Sequence, residues 1–177
     1  MKKTVLICGI IAGLITTSMF IGQMMLGNSK DDLFENGMII GYTLMILAFS
    51  FIFVATKITR DKHNGGEISF GKAFRVGLYI TLIASTIYVG VWLIDYYFFN
   101  PDFAELYTAH ILENMKASGA SQAEITKKSA EMAKFSEMYK NPFFNALLTY
   151  AEIVPLGLIV SVISAFALRR KRQVVVG

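Results

Sequence analysis

The residue in this sequence best able to do chemistry is a carboxylate inside an apolar stretch. Glu152 is the tenth residue of the apolar segment 143–168 and lies three residues before Pro155. An ionised carboxylate near the centre of a bilayer costs on the order of 3 kcal/mol or more, so such a group is protonated, hydrogen-bonded or bound to a cation. Two interpretations of Glu152 stay open: a packing residue, or a residue that binds a proton, a cation or a ligand.

Other polar residues share helical faces near Glu152. Asn145 and Thr149 precede it by seven and three residues, a spacing that places all three on one face of a helix. Polar faces of membrane helices turn inward, away from lipid. We therefore predict a polar cluster in the outer half of a helical bundle, consisting of Glu152, Thr149, Asn145, Tyr88, Ser85, Asp95 and Gln23. For Asp95, a position in an external aromatic belt, within reach of water, is the simpler explanation.

Four long apolar segments must position these residues. They cover about residues 4–26, 37–56, 73–99 and 143–168, and each reaches the roughly 20 residues that a helix needs to cross the hydrocarbon core. Apolar residues make up 54% of the 177-residue chain, and the mean hydropathy is +0.51. We predict an all-α, polytopic membrane protein: a single membrane domain over residues 1–177, with four transmembrane helices and a short external loop at 28–36.

The basic residues indicate orientation rather than nucleic-acid binding. The net charge is +4, but Lys and Arg concentrate before the first segment, between the second and third, and after the fourth. These three regions hold 11 basic residues and two acidic ones. Because short basic loops stay on the cytoplasmic side, we predict that both termini are cytoplasmic and that the first segment is an uncleaved helix.

Residues 100–142 form the only sizeable segment that the prediction places outside the membrane. Pro101 can open a first helix, and Ser121 with Glu124 forms a capping-box pattern for a second. Apolar residues recur at helical spacing along both, and Asn141-Pro142 ends the second. We predict an external amphipathic helical hairpin that lies on the bundle or caps its mouth. Its apolar stripes either pack the hairpin together or contact another membrane or periplasmic protein.

Small residues at a spacing of four predict close helix contacts. Gly9 with Gly13, and Gly37 with Gly41, repeat the pattern that lets membrane helices approach closely, and Gly157 with Ser161 extends it to the last segment.

Motifs for catalysis and metal binding are absent from the sequence. There is no phosphate-binding glycine loop, no H-E-x-x-H and no Ser–His–Asp spacing. His63 and His110 fall on opposite predicted sides of the membrane, and Cys8 is the only cysteine. We therefore expect neither enzymatic activity, nor a metal, nor a cofactor.

Nearly the whole chain resembles the family known as domain of unknown function 4199, four-helix bacterial membrane proteins found mostly in Bacteroidetes. The resemblance rests on residues 68–74, 101–103, 119–121, 141–143 and 152–157, with Ser164, Ala165 and 169–171. It implies a protein of the bacterial inner membrane with the topology above. Because the family has no assigned activity, the resemblance implies no functional residue.

Two functions fit these observations. The first is a non-catalytic membrane protein that acts through protein or lipid contacts, with the external hairpin as a contact surface. The alternative is a small carrier or transporter accessory subunit in which Glu152 binds a proton or a cation. The apolar continuation of the Glu152 face as Leu156, Ile159 and Ile163 argues against an open pore and leaves room for a closed vestibule or a ligand pocket.

Overall fold

The regular secondary structure of the protein is helical. The computed structural model describes residues 1–26 and 30–170, and for residues 23, 26 and 30–36 it describes the backbone alone. Within this part of the chain the α-helices are α1 (Lys2–Leu26), α2 (Lys30–His63), α3 (Phe70–Ile94), α4 (Phe103–Ala117), α5 (Gln122–Tyr139) and α6 (Pro142–Leu168). A π-helical turn, Asp95–Phe99, continues α3. Four of these helices, α1, α2, α3 and α6, are long and apolar enough to cross a membrane, which confirms the predicted all-helical class with four membrane-length helices.

Helix α2 is longer than the sequence predicts. The apolar segment covers 37–56, but the helix runs from Lys30 to His63 and replaces most of the loop expected at 28–36. Hydropathy marks only the part of a helix that is apolar, whereas backbone hydrogen bonding continues through polar residues. At the other end, Arg60, Lys62 and His63 lie in the last turn, where positive charge favours the helix C-terminus.

Turn and capping residues mark the later helix boundaries. Gly65 and Gly66 both have positive φ, as the turn after α2 requires. Ser69 accepts a hydrogen bond from the Lys72 backbone N–H and caps α3. Ser121 and Glu124 form the predicted capping box of α5, and the Asn141 side chain caps α6, with Pro142 in its first turn.

A short backbone bridge ties the α2–α3 connection to the end of α6. The Ile68 N–H donates to the Arg170 carbonyl at 3.2 Å, and the Arg170 N–H donates to the Ile68 carbonyl at 3.0 Å. We call this end of the bundle the bridge end, and the opposite end, where α4 and α5 lie, the cavity end. Helices α4 and α5 pack against each other, and α5 also contacts α6.

Helix α3 is the centre of the bundle and contacts α1, α2 and α6. Against α1, a Cβ added at Gly9 would lie 2.9 Å from Ile83 Cβ, and one added at Gly13 would lie 2.8 Å from Ile87 Cβ. Because no side chain larger than hydrogen fits there, the predicted close approach at Gly9 and Gly13 is confirmed.

The contact between α3 and α6 is equally close toward the bridge end. A Cβ at Gly77 would lie 2.5 Å from Ser161 Oγ, and one at Gly157 would lie 2.6 Å from Thr81 Oγ1. The Thr81 and Ser161 hydroxyls are 3.4 Å apart and both are fully buried. Here too the predicted role of small residues is confirmed.

At Gly41 the same prediction is wrong. A Cβ added at Gly41 would have no heavy atom within 4 Å, so this glycine does not mediate a close helix contact. It lines a cavity instead. A spacing of four places two glycines on the same face of a helix. It does not show whether another helix packs against that face.

We predict that Gly157→Ala destabilises the protein by about 1–3 kcal/mol, because the added methyl group would overlap Thr81 and push α3 and α6 apart. Gly90→Ala is the matched control, since Gly90 is exposed and its Cβ would meet nothing within 4 Å. Thermal unfolding of both detergent-purified variants checks the prediction. Equal melting temperatures for the two variants would contradict the close contact.

Candidate cavity between the spans

A buried hydrogen bond joins α3 to α6 at the cavity end. The indole N–H of Trp92 donates to Asn145 Oδ1 at 2.8 Å, and Asn145 is fully buried. One turn further along α6, the Thr149 hydroxyl donates to the Asn145 backbone carbonyl at 2.8 Å. Asn145 and Thr149, both predicted cluster residues, therefore lie together inside the bundle.

Aromatic rings surround Trp92 and connect it to three other elements. Its ring centroid lies 5.3 Å from Phe20 of α1, 5.3 Å from Phe103 of α4 and 5.6 Å from Tyr96 in the π-helical turn. Tyr88, a predicted cluster residue, lies one turn below, with its ring 5.4 Å from Phe20. At this level bulky rings take the place of the small residues that allow close helix contacts elsewhere, and they keep the helices apart.

The space that remains is a cavity of about 280 Å³, to which all six helices contribute. Nine of its lining residues are aromatic and four are methionines. Of the predicted polar cluster, Tyr88, Asp95, Thr149 and Glu152 line the cavity. This volume is close to the lower end of small-molecule sites, roughly 300–1,000 Å³, which are also mostly apolar with a few polar groups.

The cavity lining reaches the outer surface of the bundle at residues of α2, α5 and α6, where Phe135 of α5 is 41% exposed. Met38 and Tyr42 of α2 line the cavity and are nevertheless 68% and 43% exposed. Glu152 of α6 lines it from the other side and is also exposed. Met38, Tyr42 and Glu152 lie within membrane-length helices, whereas Phe135 does not, so the part of the opening between α2 and α6 is the part that lipid chains would face.

Glu152 is a carboxyl group without a partner in the described part of the chain. No hydrogen bond or ion pair joins it to another described side chain. It lies ten residues, about 15 Å, into α6, and it lines the cavity together with Tyr88 and Tyr139. Among the described residues, no group of three His, Cys, Asp or Glu could hold a metal ion.

Asp95 differs from its predicted setting. The sequence favoured an interfacial carboxylate within reach of water, but Asp95 is 1% exposed and accepts a hydrogen bond from Asn100 Nδ2 at 2.8 Å. It begins the π-helical turn that continues α3. Helical periodicity assigned Asp95 to the face that lines the cavity, but its position near the end of an apolar segment did not show that it is buried.

Asn145 and Ser85, two described members of the predicted cluster, are buried but do not line the cavity. Ser85 is fully buried beyond Tyr88, and its hydroxyl has no hydrogen-bond partner among the described groups. The side chain of Gln23 lies outside the described residues.

Sequence reasoning missed the residues that α2 and α5 contribute to the cavity. Tyr42 faces it from α2, and Phe135 and Tyr139 face it from α5. Burial, followed by the negative charge of Glu152, raises the pKa of Tyr139 to about 12. The sequence showed that α5 has an apolar stripe. Only the folded structure shows that this stripe lines the same cavity as Glu152.

Fold and cavity together define a helical protein with four membrane-length helices and an aromatic, carboxyl-bearing cavity near one end. The chain belongs to the family described as Protein of unknown function (DUF4199), whose model matches residues 7–170. This match confirms the resemblance found in the sequence. Comparison with curated proteins and with solved structures found no match.

We predict that Asn145→Leu destabilises the protein by about 1–3 kcal/mol, because it leaves the buried indole N–H of Trp92 without an acceptor. In a Trp92→Phe background the same substitution should cost less, since the donor is already absent. Thermal unfolding of the four proteins in this double-mutant cycle checks the coupling. An equal cost in both backgrounds would show that the hydrogen bond contributes nothing.

Proposed function

We propose that this is a non-catalytic, multi-pass protein of the bacterial inner membrane that acts through lipid contacts by binding an amphiphile in its cavity. The observation that carries the proposal is the opening between α2 and α6, where Met38 and Tyr42 are both cavity lining and outer surface. A molecule dissolved in the membrane can enter such an opening without crossing water. Catalysis is not part of the proposal, because one carboxyl group without a nucleophile or metal partner is too little chemistry.

In this proposal α4 and α5 form an external hairpin that caps the cavity. The Tyr97 hydroxyl donates to the Tyr139 backbone carbonyl at 2.7 Å and holds the end of α5 against the π-helical turn. Phe103 and Tyr107 of α4 line the cavity together with Met132 of α5. Because these stripes face the cavity, they support lipid or ligand contacts more than docking of another protein on residues 100–142.

The proposed orientation places both termini in the cytoplasm and the hairpin outside. The distribution of Lys and Arg supports it, because the bridge end carries the basic loop after α2 and the basic end of α6. The Ile68–Arg170 bridge supports it as well, since it brings these two basic segments to the same end of the bundle.

A carrier or transporter accessory subunit is the second candidate function. The unpartnered carboxyl group of Glu152 favours it, since proton or cation coupling needs a group that can change charge inside the membrane. A proton or cation flux in proteoliposomes that Glu152→Gln removes would favour this function over simple binding. Absence of any flux in the wild-type protein would exclude it.

The proposed lipid-binding function predicts that Gly41→Phe empties the cavity of its ligand. The new ring would occupy open cavity space, because a Cβ at Gly41 has no neighbour within 4 Å. Gly90→Phe is the control, since it adds the same ring to an exposed position of α3 that does not line the cavity. Native mass spectrometry of protein purified from membranes checks the prediction.

We expect a bound amphiphile on the wild type and on Gly90→Phe, and at least about tenfold less on Gly41→Phe. Equal occupancy of all three proteins, or no bound amphiphile on the wild type, would contradict the proposed function.

A further inference from the structure

We propose that the cavity selects amphiphiles with a single cationic ammonium head group, which pairs with Glu152 while the alkyl chain leaves through the opening between α2 and α6. This inference rests on the proposed lipid-binding function and adds the chemical class of the ligand. Four features of the structure support it: the unpartnered carboxyl group, the charge of the lining, the aromatic rings and the size of the cavity.

The first feature is the isolation of Glu152. It has no hydrogen bond or ion pair within the described residues, although it lies inside a membrane-length helix. A carboxylate in this position is stabilised by a positive charge that the described protein does not supply. An ammonium head group supplies that charge.

The charge of the cavity lining disfavours anionic head groups. The ionisable carboxyl groups of the described lining are Glu152 and Asp95, and this lining includes no lysine or arginine. Asp95 already accepts a hydrogen bond from Asn100, so Glu152 is the carboxyl group left for a ligand. A phosphate or sulfate head group would meet negative charge and no compensating cation, so anionic and phosphate-bearing lipids are disfavoured.

The aromatic residues favour the same head group. Tyr88 and Tyr139 line the same cavity as Glu152, and Tyr42 lines the opening. Ammonium groups are attracted to the faces of aromatic rings, by about 2 kcal/mol or more where water is excluded. Carboxylate and rings together form a site for a cation attached to an apolar chain.

The size and position of the cavity place the alkyl chain of the ligand in the opening. A volume of about 280 Å³ encloses a head group and the first methylene groups, but not a long alkyl chain. The rest of the chain can pass Met38, which is 68% exposed, and continue into the lipid beside Ile39, which is 69% exposed. The ligand thus keeps its apolar part in the membrane throughout.

Trp92 provides a direct readout, because it is the only tryptophan in the chain and it lines the cavity. The experiment uses the full-length protein in phosphatidylcholine nanodiscs. Its probes are three dodecyl amphiphiles, each brominated beside the head group: a trimethylammonium, a sulfate and a neutral alcohol. Bromine quenches tryptophan at short range, so saturable quenching of Trp92 measures occupancy of the cavity.

We expect saturable quenching by the ammonium probe, and Glu152→Gln should weaken its binding by about tenfold or more while leaving the neutral alcohol unchanged. Glu152→Asp, which keeps the charge, should retain the ammonium preference and serves as the control for folding. All variants are measured in the same bilayer, so a given probe partitions into the lipid to the same extent for each of them. This partitioning cancels when the affinities of two variants for that probe are compared. Unchanged ammonium affinity in Glu152→Gln would overturn the inference, as would equal loss for the alcohol.

The experiment separates this inference from the proposed function. If the three probes bind with equal affinity and Gly41→Phe excludes them all, the cavity binds amphiphiles but does not select a cation. If no probe quenches Trp92 saturably, or if Gly41→Phe changes nothing, the proposed lipid-binding function fails as well.

Discussion

The close contact between α3 and α6 at Gly77, Thr81, Gly157 and Ser161 is the constraint on which the rest of the structure depends. At these positions the two helices touch through hydrogens and hydroxyl groups, and no added methyl group would fit. Toward the cavity end, Trp92 and Tyr88 take the place of such small residues, and the helices must separate to accommodate the rings. The bundle is therefore closed at the bridge end and hollow at the cavity end. The change in side-chain size along these two helices accounts for the hollow, and the π-helical turn that continues α3 adds Asp95 and Tyr96 to its lining.

Trp92 converts this hollow into a defined site. Its hydrogen bond to Asn145 fixes the distance between α3 and α6, and its ring contacts with Phe20 and Phe103 add α1 and α4 to the same wall. Within the described residues, access between α2 and α6 brings a ligand to Glu152. The proposed binding from the membrane depends on the same packing that stabilises the fold, because the helix that carries Glu152 is also the helix that Trp92 anchors.

Much of this arrangement was predictable from local sequence patterns. The capping box of Ser121 and Glu124 and the small residues at Gly9 and Gly157 act over a few residues, so their consequences can be read from the chain. The extension of α2 could not be read from hydropathy, since polar residues continue a helix as well as apolar ones. Gly41 shows the other limit: helical spacing identifies a face, while the distance to the opposing wall depends on side chains from other helices. The presence of Tyr139 and Glu152 in one cavity lining depends on how α5 packs against the bundle, which no single segment of the sequence determines.

The most direct test of this account is whether Glu152 can be reached from the lipid. Dicyclohexylcarbodiimide is an apolar reagent that modifies protonated carboxyl groups from within a membrane, and peptide mass spectrometry locates the product. The account predicts modification of Glu152 in intact membranes, in the fraction of molecules whose cavity holds no ligand and whose carboxyl group is protonated, none at the buried and hydrogen-bonded Asp95, and none in a Glu152→Gln protein. No modification at Glu152, or modification only by a water-soluble carbodiimide, would contradict a cavity that opens to lipid.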